Sequence, residues 1–467
     1  MEPIEQVWLP DLMYMGGRFQ HELALVSDAN GRIVRIAPAQ DLRNVNIIRL
    51  KNRALLPGLV NAHSHAFQRV IRGRTEYRTR NIKDSFWTWR EMMYEAANRL
   101  TPESIYDASR MAFLEMVLSG ITVVGEFHYI HHAPDGTRYD DPNLIAKEVV
   151  RAAKDVGLRI ALLLVAYVRA GYRRKPNPEQ ARFIEPDPQI YLSRLEDLTS
   201  ELEETKGQAW VGIAPHSVRA VPLDYLKEIV RYGNSQDLPI HMHLAEQPAE
   251  IWACLEEYER MPVALLQSEG VLSKRFTGVH AIHIDPADAR ALAVAGARIC
   301  ACPTTERNLG DGVVPADLFL KEGVEVALGT DSNTQTDLLE DARELEYHLR
   351  LLKVERVVLS PPEDNSRAGL AERLFQCATS NGARSIGSQT GKLEPGLATD
   401  FFTVDLDDPS IAGSEKDNLL PIIVFSVCRA AVRDVVVGGK RIVSDGRHPS
   451  QDEIVRNFNQ IQRQLWN

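Results

Sequence analysis

Residues 54–65 read ALLPGLVNAHSH, an apolar run that passes straight into His63-Ser64-His65. Successive side chains of an extended backbone point to opposite faces, so His63 and His65 project the same way and can chelate one ion. The run before them is rich in Leu, Val and Ala with little alternation, as in a strand covered on both faces. A histidine pair alone decides little; its meaning depends on ligands delivered from elsewhere in the chain.

Counting this one, residues 55–62, eight such runs are found; the others are residues 121–127, 158–167, 209–215, 238–244, 278–284, 297–302 and 324–329. Amphipathic stretches predict helices between them, over residues 102–119, 144–156, 189–204, 223–234, 247–268 and 286–295. Eight strands alternating with helices predict an α/β chain folded as a (β/α)8 TIM barrel. An open doubly wound sheet would carry a glycine fingerprint at its first strand-to-helix turn, where this chain has HSH.

The two ends have a different character. Residues 23–27 and 32–36 flank Asn30-Gly31 as a hairpin, and short strand-like runs with Gly turns resume after about residue 390, at 400–405 and 432–443. These flanks predict a small composite β-sandwich domain formed by both termini, with residues 1–56 and 389–467 its two parts and residues 57–388 the barrel.

With 467 residues, 44% of them hydrophobic, the chain can bury a large core. A formal charge of -10 argues against a nucleic-acid partner, which needs a concentrated basic surface. The locally basic run from residue 69 to residue 80 reads as part of a pocket or a solvated loop. The opening MEPIEQVWLPDLMYMGG has no basic leader, and no segment reaches about 18 apolar residues, so neither a membrane association nor export is expected and a cytoplasmic protein is. Five scattered cysteines fit a reduced compartment. Cys300 and Cys302 read as small buried strand residues, since no second pair completes a thiolate site.

Placed on the predicted strands, the polar residues converge. His63 and His65 follow strand one, His216 ends strand four, His243 and Glu246 end strand five, His280 belongs to strand six and Asp331 follows strand eight. In such barrels the carboxyl ends carry the active site. The simplest ligand set is His63, His65, His243 and Asp331, which suits Zn2+ or a similar divalent ion; such an ion lowers the pKa of bound water to about 7. Glu246 can shuttle protons without coordinating. His280 is either a further ligand or a group that orients the attacking oxygen. His241 and His283 read as core histidines bonded to backbone, and His128, His131 and His132 as a solvated loop above the barrel.

The motifs PGLVNAHSH, HMHLAEQ, VHAIH, CPTTERNLGDG and LGTDSN together resemble the amidohydrolase superfamily, in its mononuclear deaminase branch. The terminal segments GKLEPGLATDFFTVD and VVVGGKRIVSDGRH resemble that superfamily's composite β domain. Strand four ends in GIAPH without a lysine, so the bridging carbamate of binuclear members is absent and one metal ion is implied. Within the branch, HSHAFQR, FWTWREMMY, EFHYIHH and APHSVRAV are most similar to the deaminases that act on a formimino group. That resemblance implies hydrolysis of N-formimino-L-glutamate to N-formyl-L-glutamate and ammonia, with Glu246, His280 and Asp331 catalytic. It also implies a homodimer. A substrate with two carboxylates needs cations, and Arg90 and Arg219 stand in the strand-one and strand-four loops, where guanidinium can bind carboxylate bidentately. Gln68, Tyr129 and His216 are further candidates to hold this small molecule. A guanine or other aminated-purine deaminase is the alternative, and a non-catalytic metal- or ligand-binding barrel is the alternative of another class.

Overall fold

A computed structural model of the chain describes residues 6–42, 47–78, 85–364 and 366–467. Eight parallel strands, Leu59–Ser64, Ile121–His128, Arg159–Ala166, Ala209–Pro215, Ile240–Leu244, Phe276–His280, Arg298–Ala301 and Val326–Leu328, lie side by side in chain order, and every residue of the first, second, fifth and sixth is buried. They are numbered one to eight below. Strand eight meets strand one through a parallel bridge between Ser64 and Asp331, with the Asp331 amide donating to the His63 carbonyl at 3.0 Å and the His65 amide to the Asp331 carbonyl at 2.9 Å. This closes the (β/α)8 barrel at the histidine pair itself. The approach requires Gly329, because a Cβ there would lie 2.8 Å from the His63 Cβ and carbonyl oxygen. Asn333 secures the seam, its Nδ2 donating to Ser64 Oγ and to the carbonyls of His65 and Asp331, each at 3.1 Å.

The run expected as one strand over 55–62 is two. Ile47–Pro57 ends in the terminal sheet, Gly58 separates it from Leu59, and Leu59–Ser64 begins the barrel. Strand six lies earlier than the expected 278–284 and ends at His280. The helix expected over 247–268 is broken into Pro248–Tyr258 and Pro262–Ser268, with Glu259 at φ +54° and Pro262 opening the second helix. The helices Leu144–Val156 and Pro286–Ala295 keep the bounds their apolar spacing predicts.

Both termini build one further sheet. The strands Gln6–Met15, Leu23–Ser27, Ile33–Pro38 and Ile47–Pro57 are joined by Phe401–Asp405, Val432–Val437 and Lys440–Val443, with Arg18–Gln20 paired to the first. Phe401–Asp405 runs antiparallel to residues 53–57 and so bonds the C-terminal hairpin directly to the strand that enters the barrel. The hairpin turns also meet. Gly31, at φ +74°, sits so close that a Cβ would fall 2.1 Å from the Gly438 carbonyl oxygen. The last helix, Gln451–Trp466, buries Ile454, Phe458, Ile461 and Leu465 at helical spacing and packs on the barrel helix Pro102–Leu118, where Arg110 bonds Glu453 at 2.9 Å.

Candidate active site

The rim at the carboxyl ends of the strands gathers the side chains that the sequence singles out. One ligand atom from each of His63, His65, His243 and Asp331 lies within 4.8 Å of the others, and all four residues are buried. Their ring orientations are set from behind. His65 Nδ1 donates to the Phe127 carbonyl at 2.9 Å and His243 Nδ1 to the His216 carbonyl at 3.2 Å, which leaves each Nε2 facing inward. Asp331 Oδ1 lies 3.2 Å from His65 Nε2 and 3.4 Å from His63 Nε2. Both ring nitrogens of His63 are buried without a hydrogen-bond partner, a state that is costly unless something else satisfies them. Three imidazoles and one carboxylate with convergent, otherwise unsatisfied lone pairs fit a divalent cation. Burial depresses the His63 pKa to about 3, keeping the ring neutral as ligation requires, while the adjacent His63 and His65 rings outweigh burial and hold Asp331 well below the usual carboxylate range.

His280 stands at the end of strand six, its Nε2 3.7 Å from Asp331 Oδ2 and 3.9 Å from Glu246 Oε1. On its other side Nδ1 bonds Glu306 Oε1 at 3.1 Å, and the same oxygen accepts from the Cys302 amide at 2.8 Å. Glu306 lies in CPTTERNLGDG with no role assigned to it from sequence; only the fold brings it, 1% exposed, behind His280. Burial would discharge His280, but the charges of Glu246, Glu306 and Asp331 hold its pKa well above the ordinary value. Burial raises the Glu246 carboxyl above its usual range. Ala245, His280, Ala281 and Asp331 all have φ between +45° and +70°, strained backbone for residues other than glycine and concentrated at this rim.

One cleft unites these groups with the expected substrate residues. His65, His243, Glu246, His280 and Asp331 form its floor, and Arg90, Tyr129, His216 and Arg219 its wall, together with Phe86, Trp89, Tyr94, Tyr167 and Phe183. Phe86, Trp89, Tyr94, Tyr167 and Phe183 are absent from the sequence-based set, although FWTWREMMY contains three of them. Arg90 lies over Trp87 at 4.4 Å and Tyr94 at 5.4 Å, and its Nη1 is buried without a partner. Arg219 Nη1 donates to the Ala170 carbonyl at 3.2 Å. Burial and the Arg219 charge push the His216 pKa well below 6.5, so its ring is neutral. Gln68 is not part of the cleft lining; its Nε2 donates to Tyr129 Oη at 2.8 Å and so braces that phenol.

Two expectations are corrected by the structure. His128, His131 and His132 are not a solvated loop: all are under 5% exposed, His131 Nε2 bonds the Val165 carbonyl at 2.8 Å, and His132 Nε2 bonds the Ile184 carbonyl at 3.1 Å. The turn after strand two folds inward beneath residues 182–185, which cover it. His241 is a core histidine bonded to the Ser385 carbonyl, but His283 is only half-buried, in the loop after strand six beside Glu246 and Asp311. The earlier end of strand six puts it there. In the basic run, Arg69 and Arg72 both bond Glu115 and form an internal ion cluster, whereas Thr79 and Arg80 lie outside the described residues, as do Met1 to Glu5 of the opening segment. Cys300 and Cys302 are buried in and just after strand seven as expected. No described helix is long and apolar enough to cross a membrane.

The model of the amidohydrolase family matches residues 54–442. A formimidoylglutamate deiminase of Pseudomonas aeruginosa is 39% identical over 413 residues, 88% of this chain and 89% of that protein. A 5-methylthioadenosine/S-adenosylhomocysteine deaminase of Syntrophomonas wolfei is 27% identical, covering 87% of this chain and 85% of its own. Among solved structures, an amidohydrolase from Brucella melitensis superposes with a TM-score of 0.89 at 32% identity, over 99% of this chain and all of that one. An adenosine deaminase from Xanthomonas campestris with bound zinc shares the fold at a TM-score of 0.82 and 22% identity, over 99% of each chain. The family match spans the barrel and the C-terminal strands of the composite sheet, and the chain is a member of the amidohydrolase family.

Proposed function

We propose that the protein hydrolyses the C=N bond of N-formimino-L-glutamate, giving N-formyl-L-glutamate and ammonia, as a step of histidine degradation. The observation that carries this reading is the presence, in one cleft, of two guanidinium groups, Arg90 and Arg219, beside the His63, His65, His243 and Asp331 donor set. A neutral nucleobase brings no charge to neutralise two half-buried guanidinium groups, whereas the formimino compound brings two carboxylates. The 39% identity to a formimidoylglutamate deiminase supports the same substrate.

One divalent ion, Zn2+, is the cofactor in this reading, held by His63, His65, His243 and Asp331; when bound, it lowers the pKa of water to about 7 and so supplies a nucleophile at neutral pH. The remaining chemistry belongs to the chain. Asp331, kept ionised by His63 and His65, takes a proton from the attacking water. His280, fixed by Glu306, faces the point of attack and stabilises the charge that develops there. Glu246, whose carboxyl is easily protonated, delivers one proton to the formimino nitrogen, and the proton taken up by Asp331 passes to the same nitrogen as the C–N bond breaks, so that it leaves as ammonia while Glu246 recovers its proton from the hydroxyl that becomes the formyl oxygen. Arg90 and Arg219 bind the carboxylates, with Tyr129, braced by Gln68, and His216 closing around the rest of the substrate. A homodimer, which the family resemblance implies, and a cytoplasmic location, which the sparse cysteines imply, complete the reading. The test is ammonia release from N-formimino-L-glutamate, guanine and adenine at equal metal loading. Turnover of the formimino compound alone is expected; turnover of a purine alone would replace the substrate assignment.

A further inference from the structure

Gln180 lies in the short helix Pro178–Phe183 after strand three and is 1% exposed. Its Nε2 donates to Tyr94 Oη at 2.6 Å and to Tyr167 Oη at 2.7 Å. Tyr94 comes from the helix Phe86–Arg99 and Tyr167 from the end of strand three, so one amide ties together three segments of the wall. A primary amide has two N–H groups, and here both end on phenol oxygens. Each phenol oxygen is thereby an acceptor toward Gln180, and its own O–H must point elsewhere. Tyr94 and Tyr167 are both buried, line the cleft, and share it with Arg90 and Arg219; the Arg90 guanidinium lies 5.4 Å from the Tyr94 ring centre, and Arg219 lies beside Tyr167. A carboxylate, which only accepts, is the ligand that such a set of donors fits.

Resting on the dicarboxylate substrate proposed above, we infer that Tyr94 and Tyr167 donate hydrogen bonds to a carboxylate held by Arg90 and Arg219, with Gln180 the positioning residue that turns both phenol protons toward it. Gln180→Glu reverses the polarity at the amide position: a carboxylate there accepts from both phenols and draws their protons away from the cleft. Tyr94→Phe/Tyr167→Phe removes the same donors without touching Gln180, and serves should Gln180→Glu fail to fold.

Two measurements on the metal-loaded enzyme separate this inference from the proposed reaction. Calorimetric binding of glutarate reads the carboxylate site without any turnover; both variants should weaken it by about tenfold or more, the scale of losing hydrogen bonds to a charged group. In turnover, KM for N-formimino-L-glutamate should rise by a similar factor, and kcat/KM for this substrate should fall about tenfold further than that for N-propylformamidine, which has no carboxylate. Glutarate affinity equal to that of the parent enzyme in the variants, or equal losses on both substrates, would overturn the inference. A parent enzyme that binds glutarate through these tyrosines yet releases no ammonia from N-formimino-L-glutamate would overturn the reaction and leave this site standing.

Discussion

Two histidine clusters lie within the same barrel, and they have opposite fates. His63, His65 and His243 pack ring to ring at 4.8 to 5.5 Å; His128, His131 and His132 pack at 5.8 and 6.0 Å, and both groups are buried. In the first, His65 and His243 spend Nδ1 on a backbone carbonyl, and the Nε2 atoms of His63 and His65 lie against one carboxylate oxygen of Asp331. In the second, Nε2 of His131 and of His132 ends on a backbone carbonyl, and the nearest charges are the guanidinium groups of Arg182 and Arg194, with Arg194 Nη2 3.2 Å from His131 Nδ1. A cation is attracted to the first cluster and repelled from the second. Density of histidines is therefore a poor guide; the direction of the second ring nitrogen and the sign of the neighbouring charge decide which cluster can ligate.

The largest expected effect comes from the first cluster. His63→Ala should leave less than one tenth of an equivalent of metal by elemental analysis and lower kcat by ~10^3-fold or more, whereas His131→Ala should retain full metal content. Loss of metal from His131→Ala would erase the contrast between the clusters. Glu246→Gln sharpens it from the other side, because a residue that shuttles protons without ligating should keep one metal per chain and still lose ~10^2- to 10^4-fold in kcat. Full turnover in Glu246→Gln would remove Glu246 from the chemistry. Arg219→Met should raise KM by ~10- to 100-fold, with a smaller change in kcat, as expected when a charged hydrogen bond to the substrate is lost.

The second cluster should show its character in stability. Burial lowers the His132 pKa to about 4, below its unfolded value of about 6.5. The unfolded chain then binds more protons between these values, so the contribution of neutral His132 is complete above pH 6.5 and is lost as pH falls through that window. Linkage puts the difference at about 2 kcal/mol between pH 7 and pH 5. His132→Gln should flatten the pH dependence of urea unfolding by that amount; parallel curves for parent and variant would show that the ring is not held neutral.

Much of this was legible in the sequence because its cause is local. The eight apolar runs, the GIAPH end of strand four and the separation of ligands along the chain follow from strand periodicity, which needs no tertiary information. Glu306 and Asn333 were not legible, since a buried carboxylate behind His280 and an amide stitching strand eight to strand one are defined only by barrel closure. Likewise, nothing in EFHYIHH distinguishes a solvated loop from an inward turn until Arg182 and Ile184 cover it. The break at Gly58 illustrates the intermediate case: the run 55–62 is uniformly apolar because one half is buried in the terminal sheet and the other in the barrel, and periodicity cannot see the change of partner.

In the function proposed above, activity depends on one metal ion held by His63, His65, His243 and Asp331. Stripping the ion with a chelator and restoring it stepwise, while measuring metal per chain and ammonia release from N-formimino-L-glutamate on the same samples, tests it directly. Activity should rise in proportion to metal and level off at one equivalent per chain; full activity in the metal-free protein, or a requirement for a second equivalent, would contradict it.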